Sequence, residues 1–186
     1  LMQLFKFSYG GGMEIFESMA QEQAKAMIWT GDNIYFAPFD LSNRYNMNQR
    51  YKKQRQHPAL KNFLTRMPHY AIWDDHDFGP NNSSRRFSGA NDATQLFKAY
   101  WANPRYGSLA GPGIYFSQQW QDVDFIITDN RTYRDPNNFP DPMTRSFFGR
   151  TQMDWIKNEL LGSRATFKIV VIGSPVFNRY YKESFY

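Results

Sequence analysis

The segment Tyr70-Ala71-Ile72-Trp73-Asp74-Asp75-His76-Asp77 runs from a short apolar stretch directly into three acids and a histidine. An earlier segment has the same design, because the apolar run Ala26–Thr30 leads into Gly31-Asp32-Asn33-Ile34-Tyr35. Each apolar run predicts a short buried strand, and each acidic group then lies in the loop that follows its strand. Because ligands of open α/β sheets bind at the carboxyl ends of strands, we expect both loops to line one site.

The chain between the two predicted strands has the pattern of a crossover connection. Asn43–Met67 predicts a helix in two pieces, because His57-Pro58 interrupts it and proline suits a first helical turn. A helical crossover joins parallel strands and is right-handed. This geometry brings Asp32 and Asp75 to the same edge of the sheet.

The rest of the chain also alternates between helical and extended patterns. Further helices are predicted at Met13–Ala26, Ala93–Trp101 and Thr151–Leu161, the last with Gly162 as its C-cap. Further strands are predicted at Gly113–Trp120, at Asp122–Thr128 after a tight turn, and at Thr166–Ile172, which we expect to be buried. The long loop Asn130–Arg150 is typical of a functional segment. Together these elements predict an α/β fold with a largely parallel sheet and helices on its faces.

Size and composition indicate one globular domain. The chain has 186 residues, of which 41% are hydrophobic, so it can bury a core and is not disordered. It contains no cysteine, which excludes disulfides and thiolate metal ligands. No apolar run is long enough to cross a bilayer. No signal peptide is visible, although the chain does not begin with Met.

The net charge is +5, with basic residues concentrated at Arg50–Arg55 and others at Arg85, Arg86, Arg131 and Arg134. Such a distribution is typical of a solvated helix face, and it is also compatible with attraction of an anionic, phosphate-bearing substrate. No stripe or motif gives firm evidence for nucleic-acid binding.

Asp32 is the strongest single candidate for metal binding. Its two carboxylate oxygens can bridge two cations about 3.5–4 Å apart, as two-metal hydrolases require. Tyr35 lies three residues later, and a phenolate oxygen favours a hard ion such as ferric iron. The alternative is an ordinary turn, because Gly, Asp and Asn all suit turns.

The second acidic group is less ordinary. Asp74, Asp75 and Asp77 repel one another in a confined loop unless they are paired or bind a cation. His76 could act as a ligand, as a general acid, or as a donor to a phosphoryl oxygen. The alternative is an exposed acidic loop, but the flanking Trp73 and Phe78 argue against full exposure.

The two segments resemble the PhoD-type alkaline phosphatases, which are calcineurin-like metallophosphoesterases. The resemblance rests on Trp29–Tyr35 and on Tyr70–Asn81, which contains Asp-Asp-His-Asp. It extends from about Gly10 to Asn178 through further matches at Thr128–Arg134, Gly149–Trp155 and Ala165–Val170.

The resemblance implies part of a four-layer α/β/β/α sandwich with metal ligands at the carboxyl ends of strands, and hydrolysis of phosphate mono- or diesters by a metal-activated hydroxide. In that scheme Asp32 matches the bridging aspartate and Tyr35 a ligand to ferric iron, while Asp75 matches a ligand to the second metal. His76 matches the histidine that donates to the phosphoryl group. Arg131 matches an arginine for which a phosphate contact and a structural ion pair with an acidic loop are both open.

The resemblance further implies a binuclear or multinuclear centre of Fe³⁺ with Ca²⁺ or another divalent cation, a phosphate-ester substrate and an exported protein. Two family motifs are missing, namely a cysteine-containing element on the first strand and a late Asp-x-His pair. We therefore expect residues 1–186 to form a single but incomplete catalytic domain, from a truncated or internally deleted gene. The alternative is a non-catalytic domain that binds an anion or partner on a degenerate phosphoesterase scaffold.

Overall fold

A computed structural model describes residues 12–109, 111–141 and 143–175. These residues form a mixed α/β structure with two small sheets. The strands are β1 Met27–Thr30, β2 His69–Ile72, β3 Phe116–Trp120, β4 Val123–Ile127 and β5 Phe167–Val171. The helices are α1 Ile15–Met19, α2 Arg44–Arg55, α3 Pro58–Leu64, α4 Asp75–Phe78, α5 Ala90–Tyr100 and α6 Gly149–Gly162.

The first sheet confirms the predicted crossover. Strands β1 and β2 are parallel, with Met27 paired to His69 and Thr30 paired to Ile72. Helices α2 and α3 form the connection, and Pro58 begins α3 as its first residue. Because the two strands end level with each other, the loops that follow them leave the sheet side by side.

The second sheet has the order β3-β4-β5. Its hairpin is antiparallel, with Phe116 opposite Ile127, whereas β4 and β5 are parallel, with Ile127 opposite Val171. The predicted parallel pairing therefore holds for β1 with β2 and for β4 with β5. The tight turn at Gln121 makes β3 and β4 antiparallel. The four-layer arrangement stays a prediction.

One predicted helix and one predicted loop differ from the structure. The helix predicted over Met13–Ala26 spans only α1, because the only apolar residues from 20 to 26 are alanines, which bury little surface against the core. The acidic segment was expected to be a loop, but Asp75–Phe78 forms the single turn of α4.

Strand β5 is exposed, which corrects the prediction of a buried strand. Phe167 is 62% exposed and Ile169 44%, and only Val171 is buried. A β-branched run indicates strand structure but not which neighbours cover it. In the described part of the chain, β5 is an edge strand.

Two apolar clusters hold the loops that follow β1 and β2. The larger one packs β2 against α5 and the second sheet around Ile72, Trp73 and Phe97. The smaller one packs Ile34 and Phe36, which follow β1, against buried residues of α2 and α5. The first residues of both loops are therefore fixed by packing in the core. Among the described residues, no helix has the length and apolar character that crossing a bilayer demands.

Candidate metal centre

Gly31 allows the loop after β1 to approach the loop after β2. Its φ is +107°, and a Cβ atom at this position would lie 2.7 Å from the Cβ of Asp74. Only glycine adopts this conformation without strain and also leaves room for the neighbouring backbone. Asp32 follows with a φ of +52°, in the left-handed region that aspartate tolerates better than most residues. This turn directs Asp32 towards the second loop.

The short helix α4 is fixed by a reciprocal capping box. The Asp74 side chain accepts a hydrogen bond from the backbone N–H of Asp77, and the Asp77 side chain accepts one from the backbone N–H of Asp74. The Asp75 carboxylate accepts from the backbone N–H groups of His76 and Asn82, at 2.9 and 2.6 Å. The helical turn thus holds Asp75 and His76 in one orientation.

Three potential ligands converge at the ends of β1 and β2. A carboxylate oxygen of Asp32, a carboxylate oxygen of Asp75 and a ring nitrogen of His76 all lie within 4.8 Å of one another. Two ligands on one cation are separated by at most two bond lengths, about 4.2 Å for Mg²⁺ and about 4.6–5.2 Å for Ca²⁺. The three atoms therefore fit the coordination sphere of a single cation of the size of Ca²⁺.

One buried oxygen at this point has no partner. Oδ1 of Asp32 is shielded from solvent and accepts no hydrogen bond from the described residues. A buried carboxylate oxygen without a donor is unfavourable by about 1–3 kcal/mol or more, and a cation would satisfy it. The donor set of carboxylates and imidazole therefore fits a cation at this position.

Tyr35 supplies a fourth potential ligand atom, its hydroxyl oxygen. Its hydroxyl donates to Oδ2 of Asp32 at 2.9 Å, and its ring stacks on His76 with 4.3 Å between ring centroids. Partial burial and the Asp32 carboxylate raise the pKa of Tyr35 to about 12. In the absence of a cation, Tyr35 is therefore a neutral phenol at physiological pH.

The acids around the site differ in their electrostatics. Burial raises the pKa of Asp32, the hydrogen bond from Tyr35 opposes that shift, and the nearby Asp75 adds to it. Burial also raises the pKa of Asp77 to about 8. A nearby cation would lower both pKa values again, because positive charge favours ionised carboxylates.

Arg131 lies behind the site and not in it. Its side chain is fully buried, and its guanidinium binds Asp74 through Nε at 2.7 Å and Nη2 at 2.5 Å. Its remaining contacts are the carbonyl oxygen of Ser83 and the hydroxyl of Ser174. Of the two alternatives for Arg131, these contacts support the ion pair with the acidic loop, because every nitrogen is already occupied by the protein.

The family model for PhoD-like phosphatases matches residues 5–183, almost the whole chain. This chain belongs to the PhoD-like phosphatase family. Among curated proteins, none is similar enough in sequence to count as a match. The solved structure of PhoD is similar in fold, with a TM-score of 0.72 and 20% sequence identity. The match covers 89% of this chain and 39% of the PhoD chain.

The structure thus brings together four of the five residues that the sequence singled out in this PhoD-like chain. Asp32, Tyr35, Asp75 and His76 meet at the ends of β1 and β2. Their roles in metal binding and catalysis stay predictions. Arg131 is tied to the loop after β2 through Asp74.

Sequence reasoning missed the residues that hold these loops in place. Asn33 donates through its side chain to the carbonyl oxygen of Ile72, and Asn130 and Ser174 donate to Asp74. The spacing Asp74-x-x-Asp77 is close to a capping box and was the one signal that could have revealed α4. Nothing in the sequence pattern links Asn130 or Ser174 to a partner so far away along the chain.

Proposed function

We propose that this chain carries the central part of the active site of a metal-dependent phosphoesterase that hydrolyses phosphate mono- or diesters. Membership of the PhoD-like phosphatase family supports the reaction class. The observation that carries the proposal is the convergence of Asp32, Asp75 and His76 within 4.8 Å, together with the buried Oδ1 of Asp32, which has no partner among the described residues.

In this proposal Asp32, Asp75 and Tyr35 hold cations, and His76 donates a proton or hydrogen bond to the phosphoryl group. Bound cations supply Lewis-acid activation of the attacking water and of the phosphoryl oxygens. Tyr35 keeps the His76 ring in place by stacking on it. Arg131 contributes indirectly, by neutralising Asp74 and anchoring the N-terminus of α4.

The proposal includes the metals and the setting that the family resemblance implies. Hard oxygen donors favour Fe³⁺ together with Ca²⁺ or another divalent cation. Residues 1–186 would be a single part of a four-layer catalytic domain, exported from the cell, whose substrate is a phosphate ester. The basic surface of α2 would help to attract that anion.

Hydrolysis of p-nitrophenyl phosphate and bis(p-nitrophenyl) phosphate tests the reaction directly. The purified chain is first loaded with Fe³⁺ and Ca²⁺. We expect Asp32→Asn to lower kcat/KM by at least about 10²-fold, because the variant loses an anionic ligand and its unpaired oxygen. Asp154→Asn, which alters an exposed acid on α6, serves as the control and should change nothing. Equal hydrolysis by Asp32→Asn and the unsubstituted chain would refute the assignment.

A specific observation favours a second candidate, a non-catalytic anion- or partner-binding domain. Both oxygens of Asp75 already accept backbone N–H groups, so this loop is satisfied without a cation. Elemental analysis of the purified chain separates the two functions. Stoichiometric iron with calcium or another divalent ion supports the phosphoesterase, and a metal-free protein that does not load supports the binding domain.

A further inference from the structure

We propose that Asp77 is a positioning residue that sets the distance between the two metal-binding loops. The inference rests on the proposed function, because it concerns the separation of Asp32 from Asp75. Asp77 itself is fully buried and so cannot contact a substrate. It acts through the backbones of the two loops.

The Asp77 carboxylate divides its two oxygens between the loops. Oδ1 accepts the backbone N–H of Asn33 at 3.0 Å, and Oδ2 accepts the backbone N–H of Asp74 at 3.0 Å. Asn33 directly follows Asp32, and Asp74 directly precedes Asp75. One rigid carboxylate therefore joins the backbones next to both candidate ligands.

Helix capping accounts for only half of this arrangement. A capping box requires the N3 side chain to accept the N–H of the N-cap residue, which here is Asp74. The hydrogen bond from Asn33 comes from a residue 44 positions earlier and contributes nothing to the helix. This second contact joins the loop after β1 directly to the loop after β2.

The far side of the Asn33 segment is also held rigidly. The Asn33 side chain donates to the carbonyl oxygen of Ile72 at 2.7 Å, and Gln54 of α2 donates to the carbonyl oxygen of Asn33 at 2.5 Å. These contacts hold the side chain and the carbonyl of Asn33, whereas its backbone N–H depends on Asp77, so without that acceptor the segment must shift to find a new partner for a buried N–H. Since ligand geometry tolerates displacements of only about 0.5 Å, losing the Asp77 contact should weaken metal binding.

The test measures Mn²⁺ affinity, because Mn²⁺ binding is visible by electron paramagnetic resonance without any substrate. Asp77→Asn keeps the shape of the side chain but has one acceptor oxygen for two N–H donors. We expect its dissociation constant for Mn²⁺ to rise by about 10–100-fold, the usual effect of losing a group that orients ligands.

Asp135→Asn is the matched control. Asp135 is also buried and also accepts a backbone N–H, that of Ser146, together with the side chain of Arg85. This variant should lose thermal stability yet keep the Mn²⁺ affinity of the unsubstituted chain. A general loss of stability would therefore not imitate the expected result.

The outcomes separate this inference from the proposed function. If Asp32→Asn loses Mn²⁺ binding while Asp77→Asn keeps it, Asp77 is only a helix cap and the inference is overturned. If the unsubstituted chain does not bind Mn²⁺, or if Asp32→Asn binds it equally well, the proposed function fails and the inference fails with it.

Amide hydrogen exchange on the unsubstituted chain provides a test that does not depend on the folding of Asp77→Asn. The N–H groups of Asn33 and Asp74 share one acceptor residue, so they should exchange slowly and at similar rates. Added Mn²⁺ should slow both by a similar factor. Rapid exchange at Asn33 beside a protected Asp74 would overturn the inference.

Discussion

At the scale of single residues, the geometry allows His76 two roles that an experiment can separate. Its ring nitrogen lies within ligand distance of Asp32 and Asp75, and its ring stacks on Tyr35. The same position suits a metal ligand and a donor to a phosphoryl oxygen. The two roles differ in what happens to metal affinity when the imidazole is removed.

We expect His76→Gln to lower kcat by about 10²–10⁴-fold, the usual contribution of a positioned acid or base. Mn²⁺ affinity should change little, because the carboxylates carry the charge that binds the cation. Steady-state kinetics and Mn²⁺ titration of the same preparation check this. A parallel loss of Mn²⁺ affinity would instead assign His76 as a ligand.

His69, at the other end of β2, should make stability depend on pH. Trp29 donates to its Nδ1 at 3.0 Å, so Nδ1 must be unprotonated, and the proton of the neutral ring lies on Nε2, 3.3 Å from the carbonyl oxygen of Phe63. Burial lowers the pKa of His69 below its ordinary value of 6.5. The unfolded chain thus takes up the proton first, and the free energy of unfolding should fall as pH drops below about 6.5.

Urea unfolding between pH 5 and pH 8 measures this dependence. His69→Gln offers an amide oxygen to Trp29 and does not titrate, so its stability should depend less on pH in this range. The decisive quantity is the difference between the two chains, because other groups titrate in both. Equal slopes for the two chains would show that His69 is not responsible.

At the scale of secondary-structure elements, short sequence patterns predicted the helices and strands whose positions depend on nearby residues. Pro58 fixed the boundary between α2 and α3, and the apolar runs before Gly31 and Asp74 placed β1 and β2. The same patterns did not predict the burial of a strand, which depends on the elements that pack against it. Nothing in a β-branched run says whether a strand is covered, which is why β5 was expected to be buried.

The buried ion pair joins two elements, the N-terminus of α4 and the loop after β4. We expect Arg131→Met to destabilise the fold by about 3–5 kcal/mol, because it leaves the Asp74 carboxylate buried without a counter-charge. Arg150→Met is the control, since the ion pair of Arg150 with Asp154 on α6 is exposed on both sides and should contribute at most about 1 kcal/mol.

Urea denaturation of both variants checks this prediction, and kinetics add a second criterion. A structural arginine changes stability and leaves KM for the phosphate ester largely unaltered in the folded fraction. A stable Arg131→Met variant with a strongly raised KM would indicate that the guanidinium contacts the phosphate after all.

At the scale of the whole molecule, the sequence predicted where the site lies better than it predicted how the site is held. Parallel strands with level ends bring Asp32 and Asp75 together whatever the surroundings are. The functions of Asp74 and Asp77 depend on Arg131 and Asn33, which only the folded chain brings close. Three acids in one segment predict repulsion relieved by pairing or by cations, and the protein itself satisfies all three through a buried arginine and backbone N–H groups.

The exposed face of β5 should control how the described domain associates in solution. Phe167, Ile169 and Val170 are all exposed on a strand that, among the residues that the structure describes, lies at the edge of its sheet. Such an edge offers unpaired backbone groups beside apolar side chains and promotes pairing between copies. We expect Ile169→Lys to raise the monomeric fraction, because a lysine in mid-strand must be desolvated for a second strand to pair. Gln119→Lys, on the opposite edge strand β3, adds the same charge and should have a smaller effect. Light scattering over a concentration series checks this, and a chain that is already a uniform monomer would contradict it.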